Sequence, residues 1–173
     1  MAKQRGFFFS SFSFALLAFT GLIFSACNAA EEPCSGAMNL RVQHEELLAC
    51  AGWLGYVKDN VCEINYVNTI PATLPNTKVY GRASCVDGSI LVATKIIGLL
   101  PRNIGPVEIA TTIVHEAAHQ LDECADREFP ALTAERTFQQ DLCRNVKAEM
   151  PACTMLAWEN QDDVVALCGL DGM

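Results

Sequence analysis

The sequence predicts a small α+β domain in which a short twisted sheet is followed by helices. The stretch VCEINYV alternates apolar and polar residues, as a half-buried strand does, and SILVATKII is a second β-rich run. The second half of the chain instead carries apolar residues at helical spacing. Strands grouped before helices are typical of α+β proteins, in which the helices cover a sheet.

The first half of the folded part is expected to hold one helix and several strands. Leucines recur at helical spacing early in this part, and an Asp-Gly pair marks a turn before the last strand. The expected elements are a helix from about Asn39 to Ala51, a strand over 61–67, a β-like patch at Val79 and Tyr80, and a strand over 89–97.

Two long helices are expected in the second half. Gly105-Pro106 opens the first, with Glu108 in its first turn, and this helix should run to about Ala125. The second begins near Pro130. Its predicted inward face consists of Leu132, Phe138, Leu142 and Val146.

The N-terminus reads as an export signal. Lys3 and Arg5 precede a long uncharged apolar run that ends in small residues, which is the pattern of a secretory signal peptide over residues 1–26. The run is long enough that an uncleaved membrane anchor is the alternative. Phe24-Ser25-Ala26-Cys27 resembles a bacterial lipobox, although Phe24 stands where an aliphatic residue is usual.

The lipobox resemblance implies a lipid on Cys27, a tether over residues 27–37 and a folded domain over residues 38–173. One lipidated cysteine would hold the domain at a membrane face of the bacterial cell envelope, towards the periplasm or the exterior. The chain has a formal net charge of −8, so no partnership with nucleic acid or anionic lipid is expected.

Cysteine content agrees with export. Of the nine cysteines, removal of Cys27 leaves an even set, which in an exported domain predicts up to four disulfides. The alternative is a set of buried free thiols. Eight cysteines allow 105 pairings, so the connectivity stays open.

The stretch TTIVHEAAHQLDECAD holds two of the three histidines of the chain. Because residues four apart on a helix share one face, His115 and His119 can direct their nitrogens at the same metal ion. Glu116 lies beside them, close enough to reach a water at that metal without being a ligand. The alternative is an amphipathic helix with two incidental histidines.

The stretch IVHEAAHQLD lies on a predicted helix that follows an apolar strand. In this stretch the chain resembles the zincin metallopeptidases. The resemblance implies Zn²⁺ held by His115 and His119, Glu116 as general base, and a peptide or protein substrate lying extended along residues 89–97. Ala117 departs from the larger apolar residue that is common there. The extended metzincin pattern fails, because Asp122 and Ala125 occupy its glycine and third histidine positions.

A third ligand is therefore expected from the next helix, as in the gluzincins, and Glu135 is the candidate. It lies on the predicted inward face, where an unpaired carboxylate is costly and a zinc ion would neutralise it. The alternative is a first-turn glutamate that interacts with the helix dipole. Asp122 either orients a histidine from outside the ligand set or faces solvent. His44 is a weaker ligand candidate, expected in an exposed helical setting.

The same antiparallel arrangement of the two helices constrains one disulfide. If Glu135 lies level with His119, Cys143 lies level with about Thr111, and a bond to Cys124 would have to span roughly 20 Å. Disulfide-bonded Cα atoms are about 6 Å apart. Cys124 and Cys143 are thus predicted not to be partners.

The functional prediction is zinc-dependent hydrolysis of peptide bonds in the bacterial cell envelope, with Glu116 as general base. Two alternatives remain: an envelope lipoprotein that binds zinc without catalysis, and a disulfide-rich module that binds a partner. The residue that would stabilise an oxyanion is left open among five candidates, namely Tyr56, Tyr66, Tyr80, Arg102 and His44.

Overall fold

A computed structural model of the chain describes residues 38–72, 77–96, 102–121, 127–154, 156 and 158–169. The predicted signal peptide, the predicted lipidation site Cys27 and the predicted tether lie outside the described residues, as do Asp122 and Cys124. None of the described helices is long and apolar enough to cross a membrane.

The described part of the chain is a mixed α and β structure with five helices and two small sheets, which confirms the coarse fold class. In chain order the elements are α1 (Val42–Ala51), α2 (Leu54–Asn60), β1 (Glu63–Val67), β2 (Gly81–Ala83), β3 (Ser89–Ala93), β4 (Lys95–Ile96), β5 (Arg102–Asn103), α3 (Pro106–Leu121), α4 (Glu128–Lys147) and α5 (Trp158–Cys168).

The larger sheet has three strands in the order β1-β3-β2. Strand β3 pairs in parallel with β1 on one side and antiparallel with β2 on the other. Four of its five residues are buried, as expected of a short apolar strand at the centre of a sheet. Strands β4 and β5 form a separate antiparallel pair. Strand β2 is consequently an edge strand of the larger sheet.

Several predicted elements shift in the structure. The strand expected over 89–97 is interrupted at Thr94 and gives β3 and β4, and the patch at Val79 and Tyr80 becomes strand only from Gly81. The first helix starts at Val42 and stops where Gly52 adopts a left-handed φ of 80°. Its backbone N–H then bonds back to Ala49, a glycine helix stop that needs no Cβ.

Helix α3 lies at the centre of the core. Its buried side contacts the sheet, α1, α2 and α4. Its own fully buried side chains include Ile113 and Val114. Those around it come from β3, α1 and α4 and include Ile90, Val92, Leu47, Leu48, Phe138 and Leu142. Burial of this apolar surface fixes the face that α3 turns to α4, and so the direction of its histidines.

The inward face of α4 is only partly as predicted. Phe138 and Leu142 are fully buried, but Leu132 is 41% exposed and Ala131 is buried in its place. Seven residues make nearly two full helical turns, so Ala131 lies directly above Phe138, whereas Leu132 is displaced by about 100°. The prediction for Leu132 is therefore wrong.

Two disulfides tie helices to parts of the chain that are distant in sequence. Cys50 in α1 is bonded to Cys153, with Cα atoms 4.6 Å apart, and Cys143 in α4 is bonded to Cys168 in α5, at 5.3 Å. Cys62 and Cys85 are disulfide-bonded as well. Since the partner of Cys143 is Cys168, the prediction that Cys143 does not bond Cys124 is confirmed. Disulfides of this kind indicate an oxidising compartment.

His44 is not in the exposed setting that the sequence predicted. Its side chain is fully buried and its Nδ1 lies 2.9 Å from the hydroxyl of Tyr66. The amide of Gln43 donates to Nε2, so the neutral ring carries its proton on Nδ1 and donates to Tyr66. Burial, helped by the charge of Arg41, lowers the pKa of His44 to about 4.

This buried histidine predicts acid sensitivity. The pKa of His44 is about 4 when folded, against 6.5 for an unperturbed histidine. The unfolded chain therefore binds more protons, and the free energy of unfolding should fall by about 3 kcal/mol as pH drops from 6.5 to 4. Urea unfolding of the wild type and of His44→Gln between pH 6.5 and 4 measures this change in the free energy of unfolding. An equally steep loss in the variant would contradict the assignment.

Candidate metal centre

The two motif histidines lie together on the last two turns of α3. The Nε2 atoms of His115 and His119 are 3.2 Å apart, and both side chains are mostly shielded from solvent. Apolar packing of Ile113, Val114 and Ala117 on the opposite side of α3 directs the two rings away from the core. Helical spacing thus delivers the convergence that the sequence predicted.

Glu128, the first residue of α4, brings a carboxylate to the same point. One carboxylate oxygen lies 3.4 Å from Nε2 of His115 and the other 3.9 Å from Nε2 of His119. Among the described residues, His115, His119 and Glu128 form the one group of three whose ligand atoms could hold a metal ion. Sequence reasoning did not single out Glu128.

The spacing of these donors suits a tetrahedral ion. Bonds of about 2.0–2.1 Å at tetrahedral angles place neighbouring donor atoms roughly 3.3–3.4 Å apart. The two histidine nitrogens are 3.2 Å apart and one Glu128 oxygen lies 3.4 Å from Nε2 of His115, both near that value, and one ligand atom from each of the three residues lies within 4.8 Å of the others. Two imidazole nitrogens and one carboxylate oxygen make a set of three protein donors, which leaves one tetrahedral position for another molecule.

Glu135, the predicted third ligand, contacts the other side of His115. Its carboxylate lies 3.2 Å from Nδ1 of His115, and a carboxylate can only accept, so Nδ1 donates. The proton on Nδ1 leaves Nε2 with a free lone pair turned towards His119 and Glu128. The structure thus brings Glu135 to the site, at a position that orients a histidine.

Helix geometry explains why both glutamates reach the site. Glu128 and Glu135 are seven residues apart on α4, nearly two turns, so both lie on the side that faces α3. The sequence placed Glu135 level with His119, but Glu135 lies level with His115, which is one turn nearer the N-terminal end of α3. That shift brings Glu128 to the two Nε2 atoms. The seven-residue spacing was the available signal for Glu128.

Glu116 lies beside this cluster and is itself buried, with 6% of its surface exposed. Burial raises the pKa of Glu116 to about 7, and the charge of Glu128 acts in the same direction. The positive charge of His115 when its ring is protonated and a hydrogen bond from the backbone N–H of Ala83 oppose this rise. Glu116 is thus a carboxyl group poised between its two protonation states near neutral pH.

All five side chains line one cavity of about 590 Å³. Its walls come from α3, from α4, from the segment Lys78–Gly81 and from Leu167 of α5. Away from the histidines it extends between α3 and α4 past Thr111 and Gln139, each one turn beyond a site residue. A cavity of this size accommodates a peptide segment or a small molecule.

The cavity narrows the choice of the oxyanion-stabilising residue. Of the five sequence candidates, Tyr80 lines the cavity. Tyr66 is bonded to the buried His44, Arg102 forms an ion pair with Glu108, and Tyr56 lines a separate apolar groove.

The strand that borders the site differs from the one expected. Residues 89–97 were predicted to lie along the substrate, but β3 is bordered by β1 and β2 and offers no free edge along residues 90–92. Strand β2 lies between β3 and the cavity, with Gly81 as a lining residue. This prediction was wrong because local alternation does not reveal strand order.

Comparison with protein-family models, curated proteins and solved structures finds no match. The assignment of a function therefore depends on the geometry and chemistry of the site.

Proposed function

We propose that this protein is a zinc-dependent hydrolase of peptide bonds, in which His115, His119 and Glu128 hold the metal and Glu116 is the general base. The observation that carries the proposal is the convergence of one ligand atom each from His115, His119 and Glu128, all within 4.8 Å of one another, beside a buried glutamate. The order His-Glu-x-x-His on one helix agrees with it.

Zinc is the metal that this donor set favours. Two imidazoles and one carboxylate are a common ligand set of catalytic zinc sites, whereas calcium and magnesium prefer oxygen donors alone. Glu135 contacts His115 on the side away from the metal. A carboxylate that accepts from Nδ1 fixes the orientation of the imidazole ring and makes Nε2 a stronger metal ligand. We therefore assign the ligand role to Glu128 and an orienting role to Glu135.

Zinc at this site would supply Lewis acidity, which polarises a carbonyl group and makes a water molecule more acidic. The carboxylate of Glu116 accepts a proton from the attacking water as its oxygen bonds to the carbonyl carbon. Protonated Glu116 then gives that proton to the amide nitrogen as the carbon–nitrogen bond breaks. In the metal-free protein, burial raises the pKa of Glu116 to about 7, and the positive charge of a bound metal would favour the carboxylate form that accepts the proton.

The substrate chain is proposed to lie along the edge of β2. Tyr80 accepts a hydrogen bond from Ala93, and Ser84 donates one to Ser89, so these residues face β3. Alternate residues of an antiparallel strand point the opposite way, so the backbone of Gly81 faces the cavity. An extended peptide can pair with such an edge through main-chain hydrogen bonds at Gly81, while the backbone N–H of Ala83 on the same edge is donated to Glu116.

The cellular setting in this proposal is the bacterial envelope. The disulfides support an oxidising compartment, and the basic, apolar and small-residue order of residues 1–26 supports export. A lipid on Cys27 would keep the domain at a membrane surface, where its substrates are peptides or proteins.

Purified residues 38–173, oxidised and dialysed against zinc, are expected to bind one zinc ion per chain and to cleave fluorescently labelled casein. Chelation with 1,10-phenanthroline should abolish cleavage, and added zinc should restore it. Plasma emission spectrometry gives the stoichiometry. Less than about 0.1 zinc per chain would exclude the metal site, and one zinc per chain without cleavage of casein or of a mixed peptide library would favour the non-catalytic alternative.

A further inference from the structure

We infer that Gly81 is a positioning residue for Glu116: the absence of a side chain at this point of β2 sets the direction of the proposed general base. The inference rests on the proposed function for its catalytic consequence. The contact between Gly81 and Glu116 can be tested without it.

The evidence is the tight packing of β2 on α3. A Cβ atom placed on Gly81 would lie 2.5 Å from Oε1 and 2.6 Å from Cγ of Glu116, and 2.7 Å from Cγ2 of Thr112. Non-bonded carbon atoms prefer about 3.5–4.0 Å, so no side chain fits there without movement. Any residue other than glycine therefore competes with Glu116 for space.

Backbone conformation does not explain this glycine. Of the described glycines, those with positive φ are Gly52, Gly88 and Gly169, so the backbone at Gly81 is one that any residue adopts. Glycine is used either where φ is positive or where two backbone segments approach closely. Gly81 is thus required for the close approach of strand β2 to helix α3.

Two points of β2 act on Glu116. Gly81 leaves room for its Cγ and one carboxylate oxygen, and Ala83, on the same edge of the strand, donates its backbone N–H to the carboxylate. Of the two side chains that a Cβ would meet, that of Glu116 is the longer and more flexible, while Thr112 is β-branched and restricted at χ1. An added methyl group should therefore displace the carboxylate of Glu116.

Gly81→Ala is expected to lower kcat on labelled casein by roughly 100-fold, since a displacement near 1 Å costs about that much, with KM changed less than threefold. Zinc stoichiometry should stay at one per chain, because the three atoms nearest the new methyl group belong to Glu116 and Thr112 and not to a proposed ligand. Gly55→Ala is the matched control: a Cβ at Gly55 meets nothing within 4 Å, so its activity should equal that of wild type.

A thermodynamic cycle tests the contact itself. Gly81→Ala should lower the melting temperature of the metal-free domain by roughly 5–10 °C, the range expected for overpacking. In a Glu116→Ala background, which removes two of the three crowded atoms, the same substitution should lose less than half as much. If Gly81→Ala does not fold but the double variant does, the inference is equally supported.

Equal losses in the two backgrounds, or failure of both variants to fold, would overturn the inference, because the conflict would then not involve Glu116. Unchanged kcat in Gly81→Ala would also overturn it. Absence of hydrolysis by the wild type would remove the proposed function alone, since the melting cycle reads the Gly81–Glu116 contact independently of any reaction.

Discussion

Replacement of Glu116 by Gln is expected to lower kcat for hydrolysis of labelled casein by about 10²–10⁴-fold while one zinc ion per chain stays bound. Glutamine has nearly the same shape as glutamate but can neither accept a proton from water nor return it to a leaving nitrogen. Because Glu116 is not among the three proposed ligand residues, metal content should not change.

Stability separates loss of chemistry from loss of fold in this variant. Glu116 is buried and its burial disfavours the charged carboxylate. A neutral amide of equal size should therefore leave the melting temperature of the metal-free domain equal to or above that of wild type at pH 8. Full hydrolysis by Glu116→Gln would show that another group moves the proton. Loss of zinc would place Glu116 among the ligands instead.

The part of the site that sequence could predict is the part carried by one helix. His115, Glu116 and His119 lie within five residues, and helical periodicity alone fixes their relative directions. The structure reproduces this convergence because Pro106 starts α3 at the expected place and its apolar stripe packs into the core.

The contributions of other elements depended on long-range packing. Placing Glu135 correctly required the register of α4 against α3 to within one turn, about 5.4 Å, and sequence reasoning missed by that one turn. A register difference of one turn decides whether Glu128 or Glu135 contacts the two Nε2 atoms and which of them contacts Nδ1 of His115. Local pattern carries no information at this precision, whereas the seven-residue repeat linking Glu128 to Glu135 was visible.

His44 and β2 show the same limit in the fold. His44 precedes two acids, which suggested solvent exposure, but its partner Tyr66 lies 22 residues away in β1. The apolar run at β3 gave a correct strand, and yet its central position depends on pairing with β1 and β2. Secondary structure follows from periodicity, while burial and strand order follow from tertiary pairing.

The two glutamates of α4 should respond differently to removal, and this difference tests the ligand assignment. Glu135→Ala takes away the acceptor at Nδ1 of His115, and loss of such an outer partner typically weakens metal binding by 10–100-fold. Glu128→Ala takes away a proposed ligand, so its zinc affinity should fall further, beyond the roughly 100-fold limit expected for Glu135→Ala. Competition with a chromophoric chelator measures both constants.

A matched control excludes a general effect of charge. Glu149→Ala removes an exposed acid just beyond the end of α4 and should retain the wild-type zinc affinity. The conservative Glu135→Gln variant keeps an acceptor oxygen for Nδ1 and should recover most of what Glu135→Ala loses, whereas Glu128→Gln should recover little, because an amide oxygen is a weaker zinc ligand than a carboxylate. If Glu135→Ala loses zinc more completely than Glu128→Ala, the ligand role returns to Glu135, whose carboxylate must then leave Nδ1 of His115 when the metal binds.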